Sequence, residues 1–165
     1  MNGCPDPYKI RPVKDGDAHQ LIDLINTCFQ EYEHEGVFID LEDLDADLKA
    51  MRTKIDGENG DFWVVFDGDQ LIASIGIAPV GVDMCELKRL YMLAEYRGQG
   101  LADYLTGLVE QWALDHGHHK MTLWSDTRFT RAHSFYQRHG YIQQPKTRDL
   151  GDISNTTEFQ FTKAL

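Results

Sequence analysis

The stretch EYRGQGLADYL, residues 95–105, places two glycines around a glutamine, after an apolar run and before a run with helical spacing. Glycine has no side chain, so it adopts tight turns and leaves the backbone N–H groups accessible. The first N–H groups of a helix have no partner within it and favour negative charge. The stretch therefore predicts an anion-binding turn between a strand and a helix.

Two common phosphate-binding motifs do not fit this turn. A dinucleotide-binding turn requires G-x-G-x-x-G, and the third glycine position is occupied by Asp103. A Walker phosphate loop requires Gly-Lys followed by Ser or Thr, and that sequence is absent.

Hydrophobic periodicity before the turn predicts one strand, two helices and three further strands. The first helix covers 17–33, and the second begins at an Asp40 N-cap with the apolar stripe Leu41, Leu44, Leu48, Met51 and Ile55. An Asp-Gly pair at 67–68 predicts a hairpin, because such pairs tolerate positive φ angles. The predicted strands cover 8–13, 62–66, 70–80 and 85–93.

After the turn, the pattern predicts helix, strand, helix and two strands. The helices begin at Leu101 and at 130, and the strands cover 120–126, 141–150 and 157–165. The order β-α-α-β-β-β-α-β-α-β-β indicates a mixed α/β domain that is neither doubly wound nor a barrel. Without a repeat or low-complexity linker, residues 1–165 are predicted to form a single domain.

The turn and its surroundings resemble the GNAT-type N-acetyltransferase family. Residues 97–102, Arg-Gly-Gln-Gly-Leu-Ala, match the R/Q-x-x-G-x-G/A signature, and AHSFYQRHGYI, residues 132–142, resembles the second signature. The resemblance implies the GNAT fold, a central and mostly antiparallel sheet of about seven strands flanked by four helices. Two departures are Phe129, where many relatives have Asn, and Ala94, where the family usually has Pro.

The resemblance implies that the anion is the pyrophosphate of acetyl-CoA, the expected co-substrate. The main chain of strand residues Leu90, Tyr91 and Met92 is expected to pair with the pantetheine arm. Among the arginines at 128, 131 and 138, Arg131 is the chosen phosphate contact. The turn is expected to bind the pyrophosphate through Arg97, Gly98, Gln99, Gly100, Leu101, Ala102 and Asp103, with the Leu101 side chain mainly in the core.

Acetyl transfer to an amine needs a group that removes a proton and a group that protonates the leaving thiolate. Tyr136 aligns with the tyrosine that many family members use as general acid; the other interpretation is a tyrosine that packs in the core or against CoA. Glu86, eleven residues before Arg97, resembles the base that the histone-acetyltransferase branch of the superfamily carries at this spacing. It is the candidate base, directly or through a water, unless an ion pair with Lys88 makes it structural or it anchors the substrate. Asp126 is the reserve candidate for the base.

The resemblance also implies that the acceptor enters over the first two helices and their connection. That segment interleaves carboxylates with aromatic residues, and Glu31, Glu33 and Phe38 are the candidate acceptor contacts. Such a surface attracts a cation, so the predicted acceptor is a positively charged primary amine of a small molecule or a peptide. The other interpretation is a solvated helix end with its aromatic residues in the core.

Composition restricts the partners. A net charge of −11 disfavours duplex nucleic acid and anionic membranes as partners. Cys4, Cys28 and Cys85 fit neither a disulfide framework nor a metal site, so no metal is expected.

The N-terminus lacks the pattern of a signal peptide, which predicts a cytoplasmic protein. A homodimer through the last strand, with Phe159 and Phe161 near a sheet edge, is also expected.

The alternative function is a non-catalytic domain that binds acyl-CoA as a sensor or scaffold. Tyr136 and Glu86 together with the intact turn favour the enzyme.

Overall fold

The computed structural model describes residues 3–165, which form seven strands and four α-helices in the predicted order. The elements before the glycine turn are β1 (Lys9–Pro12), α1 (Ala18–Gln30), α2 (Met51–Gly57), β2 (Asp61–Asp67), β3 (Gln70–Gly81) and β4 (Met84–Met92). Those after it are α3 (Leu101–Asp115), β5 (Lys120–Asp126), α4 (Thr130–Arg138), β6 (Ile142–Asp149) and β7 (Thr157–Ala164).

The seven strands form a single sheet in the order β1-β2-β3-β4-β5-β7-β6. Every neighbouring pair is antiparallel except β4 and β5, which are parallel and joined through α3. The central strand β3 is buried from Leu71 to Ala78, because its near-continuous apolar sequence is covered on both faces. The prediction of a mixed, mostly antiparallel sheet with four helices is confirmed.

Strands β4 and β5 separate soon after they meet. Their pairing covers only Met84–Glu86 against 120–122. Beyond Glu86 the two strands diverge, so the second half of β4 has no strand neighbour on that side within residues 3–165. This split opens a cleft in the middle of the sheet.

An irregularity in β4 changes which side chains face that cleft. The register with β3 shifts near Arg89, whose φ is 52°, so β4 carries an extra residue there. Glu86, Lys88 and Tyr91 consequently share one face of the sheet, whereas Met92 turns to the buried face. Simple alternation, which places Met92 on the face of Glu86, is therefore wrong beyond Lys88.

The segment before α2 differs from the predicted helix. Residues 41–45 form turns and 46–50 a 3₁₀ helix, so α2 begins only at Met51. The cause is Asp45, which is 1% exposed: its carboxylate accepts the Asp40 backbone N–H and pairs with Arg89. An inward carboxylate fixes the segment around the β4 bulge, and Leu44 of the predicted stripe is left 39% exposed.

The edge of the sheet also differs from expectation. Strand β7 lies between β5 and β6 with Phe161 fully buried, so it offers no edge for a dimer. The edge strand on this side of the sheet is β6, IQQPKTRD, whose proline and charges are typical of edges that avoid further pairing. Within residues 3–165, no helix has both the length and the apolar character needed to cross a bilayer.

Candidate active site

The glycine turn has the geometry of an anion cradle. Helix α3 begins at Leu101, and Gly98 and Gly100 have φ angles of 74° and 82°, which residues with side chains rarely adopt. A Cβ added at Gly98 would meet no atom outside its own neighbours within 4 Å. The space over the turn is therefore open. The first N–H groups of α3 have no partner within the helix and favour a negative charge at this position.

A cavity of about 290 Å³ adjoins this turn; we call it the glycine-turn cavity. It lies between α1, the end of β4, the start of α3 and one face of α4. Of the residues predicted to bind the cofactor, it is lined by Leu90, Tyr91, Met92, Arg97, Gly98, Gly100, Ala102, Asp103 and Arg131.

The other two predicted residues of the turn have their side chains elsewhere. Leu101 is fully buried in the core, as its predicted packing role requires. The Gln99 side chain accepts a hydrogen bond from the Tyr8 hydroxyl and donates one to the Glu95 carbonyl. Any contact of Gln99 with an anion at the turn is thus left to its backbone N–H.

Arg97 is held by the protein itself. Its Nη1 and Nη2 donate to the two Glu31 carboxylate oxygens at 2.9 and 2.6 Å, and Nε and Nη2 donate to the Met92 carbonyl at 3.1 and 2.9 Å. This bidentate pair lowers the pKa of the Glu31 carboxyl. Arg97 therefore ties the end of β4 to α1, and the Met92 carbonyl is already occupied.

Two further arginines line the glycine-turn cavity from α4. Arg131 lies 3.4 Å from the Glu31 carboxylate, and its side chain is 61% exposed. Arg138 lines the cavity without an ion pair in the described residues. Arg128 instead forms a two-point pair with Asp126 and is committed to the structure.

A second cavity of about 280 Å³ lies on the other side of the β4–β5 split; we call it the Glu86 cavity. Glu86 is half-buried there, and no hydrogen bond or ion pair to its carboxylate is found within residues 3–165. The Lys88 ammonium, its expected partner, pairs with Glu58 at 2.8 Å instead. Burial raises the pKa of the Glu86 carboxyl, which the nearby Lys88 and Arg148 charges partly offset.

Tyr136 of α4 stands between the two cavities. It is 7% exposed, and burial raises the pKa of its phenol well above the usual value, so the group stays protonated at neutral pH. The residues that line both cavities are Phe29, Leu90, Tyr91, Phe129, Ala132 and Tyr136. The two cavities therefore meet at the β4 bulge and α4.

Asp126, the reserve candidate for the base, is in a different state from Glu86. Its carboxylate accepts three hydrogen bonds from Arg128, from the backbone N–H, Nε and Nη2, at 2.7–2.9 Å. Arg128 in turn donates to the carbonyls of Glu35 and Ser154, so the pair ties the loop after α1 to the β6–β7 loop. This geometry favours a structural role for Asp126.

The three candidate acceptor contacts do not come together. Phe38 lines the Glu86 cavity and is 46% exposed. Glu31 is engaged by Arg97, and neither Glu31 nor Glu33 is among the residues lining the Glu86 cavity.

Sequence inspection missed two residues of this cavity, Trp124 of β5 and Arg148 of β6. The strand register places both on the face of Glu86. Glu86 pairs with Thr122, which shares a face of β5 with Trp124 and Asp126 because side chains alternate along a strand. Asp126 in turn pairs with Glu158, and Glu158 pairs with Arg148. Directly paired residues share a face of a sheet, so Glu86, Trp124, Glu158 and Arg148 all face the same way. Only the pairing of β5, β7 and β6 brings these residues to the face of Glu86, and the order of elements along the chain does not reveal that pairing.

The buried cysteines have no sign of nucleophilic chemistry. Burial raises the pKa of Cys28 and of Cys85 to about 11, so both thiols are protonated at neutral pH. The Cys28 thiol donates to the Met92 carbonyl at 3.4 Å. Neither residue lies in the Glu86 cavity.

Comparison with known proteins identifies the class. The model of the acetyltransferase (GNAT) family matches residues 18–141. The chain is 32% identical to N-acetyltransferase family 8 member 2 of Rattus norvegicus over 103 residues, 59% of this chain and 46% of that protein. It is 30% identical over 83 residues to the uncharacterized N-acetyltransferase YjgM of Escherichia coli, covering 48% of this chain and 50% of that protein. The chain thus spans about half the length of these relatives.

Solved structures share the fold at low sequence identity. An acetyltransferase from Streptococcus agalactiae superposes with a TM-score of 0.81 at 22% identity, over 98% of this chain and 100% of that one. The PaiA N-acetyltransferase of Thermoplasma acidophilum, solved in complex with coenzyme A, superposes with a TM-score of 0.67 at 18% identity, over 96% and 99% of the two chains.

Proposed function

The chain belongs to the acetyltransferase (GNAT) family, and from this we propose that it transfers the acetyl group of acetyl-CoA directly to a primary amine. The observation that carries the proposal is the junction of the two cavities. An open anion cradle adjoins one cavity, a carboxylate without a partner in residues 3–165 lines the other, and a buried phenol stands where they meet.

The glycine-turn cavity suits the acyl-CoA substrate. The N-terminus of α3 and the N–H groups of the turn would bind the pyrophosphate, with Arg131 and Arg138 adding positive charge nearby. The free side of β4 offers Leu90 and Tyr91 to an extended pantetheine chain, in the manner of an added strand. Arg97 would act from behind this surface, by fixing the carbonyl of Met92.

Gly100→Val tests the cradle. Gly100 has a φ of 82°, where a β-branched residue is strained, and its side chain would project toward the approaching phosphate. Affinity for CoA should fall at least tenfold by calorimetry, about 1.4 kcal/mol or more. Gly107→Val on the same helix is the matched control, because a Cβ there meets nothing within 4 Å, and its CoA affinity should stay within threefold. Unchanged CoA affinity in Gly100→Val would place the anion site elsewhere.

The Glu86 cavity suits the amine. In the proposed reaction, Glu86 takes a proton from the acceptor ammonium, directly or through a water, and the free amine attacks the thioester carbonyl. The C–N bond forms and the C–S bond breaks in one ternary complex, without an acyl-enzyme. The cysteine pKa values of about 11 support direct transfer.

Tyr136 is proposed as the general acid. The departing thiolate needs a proton, and the buried phenol is protonated at neutral pH and faces both cavities. Transfer of that proton to sulfur leaves a phenolate, which recovers a proton as the new amide nitrogen loses its own.

The test is the release of free CoA thiol from acetyl-CoA across a panel of amines, amino acids and short peptides. We expect thiol release that depends on one class of acceptor, with an equal amount of acetylated acceptor by mass spectrometry. Thermal stabilisation by acetyl-CoA without turnover on any acceptor would contradict the proposal and favour an acyl-CoA sensor.

A further inference from the structure

Most carboxylates of the Glu86 cavity are neutralised within the protein. Arg89 pairs with Asp45 and Asp47 at 2.8 and 2.7 Å, and Glu58 accepts from Lys54 and Lys88. These groups hold the cavity wall together and leave little net charge for a substrate. The acidic composition of the chain is therefore a poor guide to what this cavity binds.

Of the remaining carboxylates in the cavity, all but Glu86 are hydrogen-bonded within the described part of the chain. Asp126 is engaged by Arg128, both oxygens of Asp152 accept from Thr156, and Glu158 accepts from Arg148. Among the cavity carboxylates within residues 3–165, Glu86 alone has neither an ion pair nor a hydrogen bond.

Arg148 provides a positively charged group in the same cavity as the Glu86 carboxylate. Its Nε donates to the Glu158 carboxylate at 2.7 Å, and its guanidinium carbon lies 4.3 Å from the centre of the Trp124 ring. No partner for Nη1 or Nη2 is found in the described part of the chain, and the side chain is 41% exposed. The guanidinium is thus oriented by one carboxylate and one ring, while the edge that binds carboxylates in two-point fashion is free.

The Glu86 carboxylate and the Arg148 guanidinium lie on the same face of the sheet. Trp124 lies on the neighbouring strand, two residues beyond Thr122, the partner of Glu86, and both Glu86 and Trp124 line the Glu86 cavity. The Arg148 guanidinium over Trp124 lines the same cavity as Glu86, and its charge is among those that lower the pKa of that carboxyl. The apolar side chains of Phe38 and Leu44 line the same cavity.

We propose that the acceptor is a free amino acid or a small amino-acid derivative with an apolar side chain, held by its carboxylate on the Nη edge of Arg148 while its amine meets Glu86. The inference rests on the proposed acetyl transfer and names the substrate class of that site. It replaces the purely cationic acceptor suggested by the acidic segment around Glu31. A cavity of about 280 Å³ suits a molecule of this size.

The experiment compares each amino acid with the amine that lacks only its carboxylate: phenylalanine with phenethylamine, and leucine with 3-methylbutylamine. Wild type should use the amino acids with a kcat/KM roughly tenfold to hundredfold above that of the amines, the range expected for charged hydrogen bonds. Arg148→Gln should remove this ratio, because it lowers kcat/KM for the amino acids far more than for the amines. Because each ratio is compared between variants, the different basicities of the acceptors cancel.

Lys146→Gln is the matched control. It removes a positive charge from the same strand, 5.7 Å from the same Trp124 ring, at a residue outside the cavity lining, and should keep the wild-type ratio. Calorimetry with CoA on each variant verifies that the fold and the cofactor cavity are intact.

The outcomes separate the inference from the proposed function. Turnover of the amines equal to that of the amino acids, or a ratio that survives Arg148→Gln, would overturn the carboxylate contact and leave acetyl transfer standing. Turnover restricted to peptides with a blocked C-terminus would do the same and move the acceptor to a protein amine. The absence of acceptor-dependent thiol release with every compound would overturn both.

Discussion

Glu86→Gln is expected to lower kcat by roughly 10²–10³-fold, within the range for the loss of a general base. The substitution keeps the size of the side chain and its place on β4. Because no ion pair of Glu86 is found within residues 3–165, the change breaks no structural contact there. A loss of activity would therefore report on proton transfer and not on packing.

The same variant should lose the acidic limb of the rate–pH profile. Burial raises the pKa of Glu86, so its base form is lost as the pH falls through a value above the ordinary glutamate value of about 4.3. The position of this limb should not move between acceptors with amines of different basicity. A limb that follows the acceptor, or that persists in Glu86→Gln, would show that Glu86 is not the titrating base.

Glu58→Gln provides the control for charge alone. Glu58 lines the same cavity but is paired with Lys54 and Lys88, and its charge raises the pKa of Glu86. The glutamine amide can still accept a hydrogen bond from Lys88 and keep it away from Glu86, so this variant should turn over within about threefold of wild type, with the acidic limb shifted to lower pH and still present. A Glu58→Gln defect as large as that of Glu86→Gln would contradict the assignment of the base.

Tyr136→Phe is expected to lower kcat roughly 10²-fold with the KM for acetyl-CoA little altered. The ring packs near Tyr141 and Phe161, and Phe retains that packing while it removes the proton donor. The loss should be smaller for thioesters whose thiols are more acidic, because a better leaving group needs less protonation. An equal loss with every thioester would contradict a general-acid role.

Tyr141→Phe is the matched control for Tyr136→Phe. Tyr141 is 2% exposed, its ring centre lies 5.8 Å from that of Tyr136, and it is not among the residues lining either cavity. Its phenol can therefore be removed without touching the substrates, and turnover should stay within about twofold of wild type. A matching loss in both variants would indicate a packing effect.

Local sequence patterns predicted the order of elements well, because strands and helices leave different hydrophobic periods. The glycine turn was also predictable, since Gly98 and Gly100 supply the positive φ angles that the start of α3 requires. These features depend on residues near one another in the chain. The turns and 3₁₀ helix of residues 41–50 were not predictable, because they depend on a contact between Asp45 and Arg89, 44 residues away.

The site was only partly predictable for the same reason. Alternation along β4 fails at Arg89, where one extra residue brings Tyr91 to the face of Glu86. Partners separated by long stretches of chain decided other roles: Glu58 freed Glu86 from Lys88, and Glu31 engaged Arg97. Arg148 and Trp124 meet Glu86 only through the pairing of β5, β7 and β6.

The most direct test combines Glu86→Gln and Tyr136→Phe in one chain and measures CoA binding and acceptor-dependent thiol release on the same preparation. We expect a CoA affinity within threefold of wild type, since the glycine turn is untouched, and a thiol release at least 10³-fold below wild type. The combined loss should be less than the product of the single losses, because the two groups serve one transfer. Wild-type thiol release by the double variant would contradict the central claim that acetyl transfer occurs where the two cavities meet.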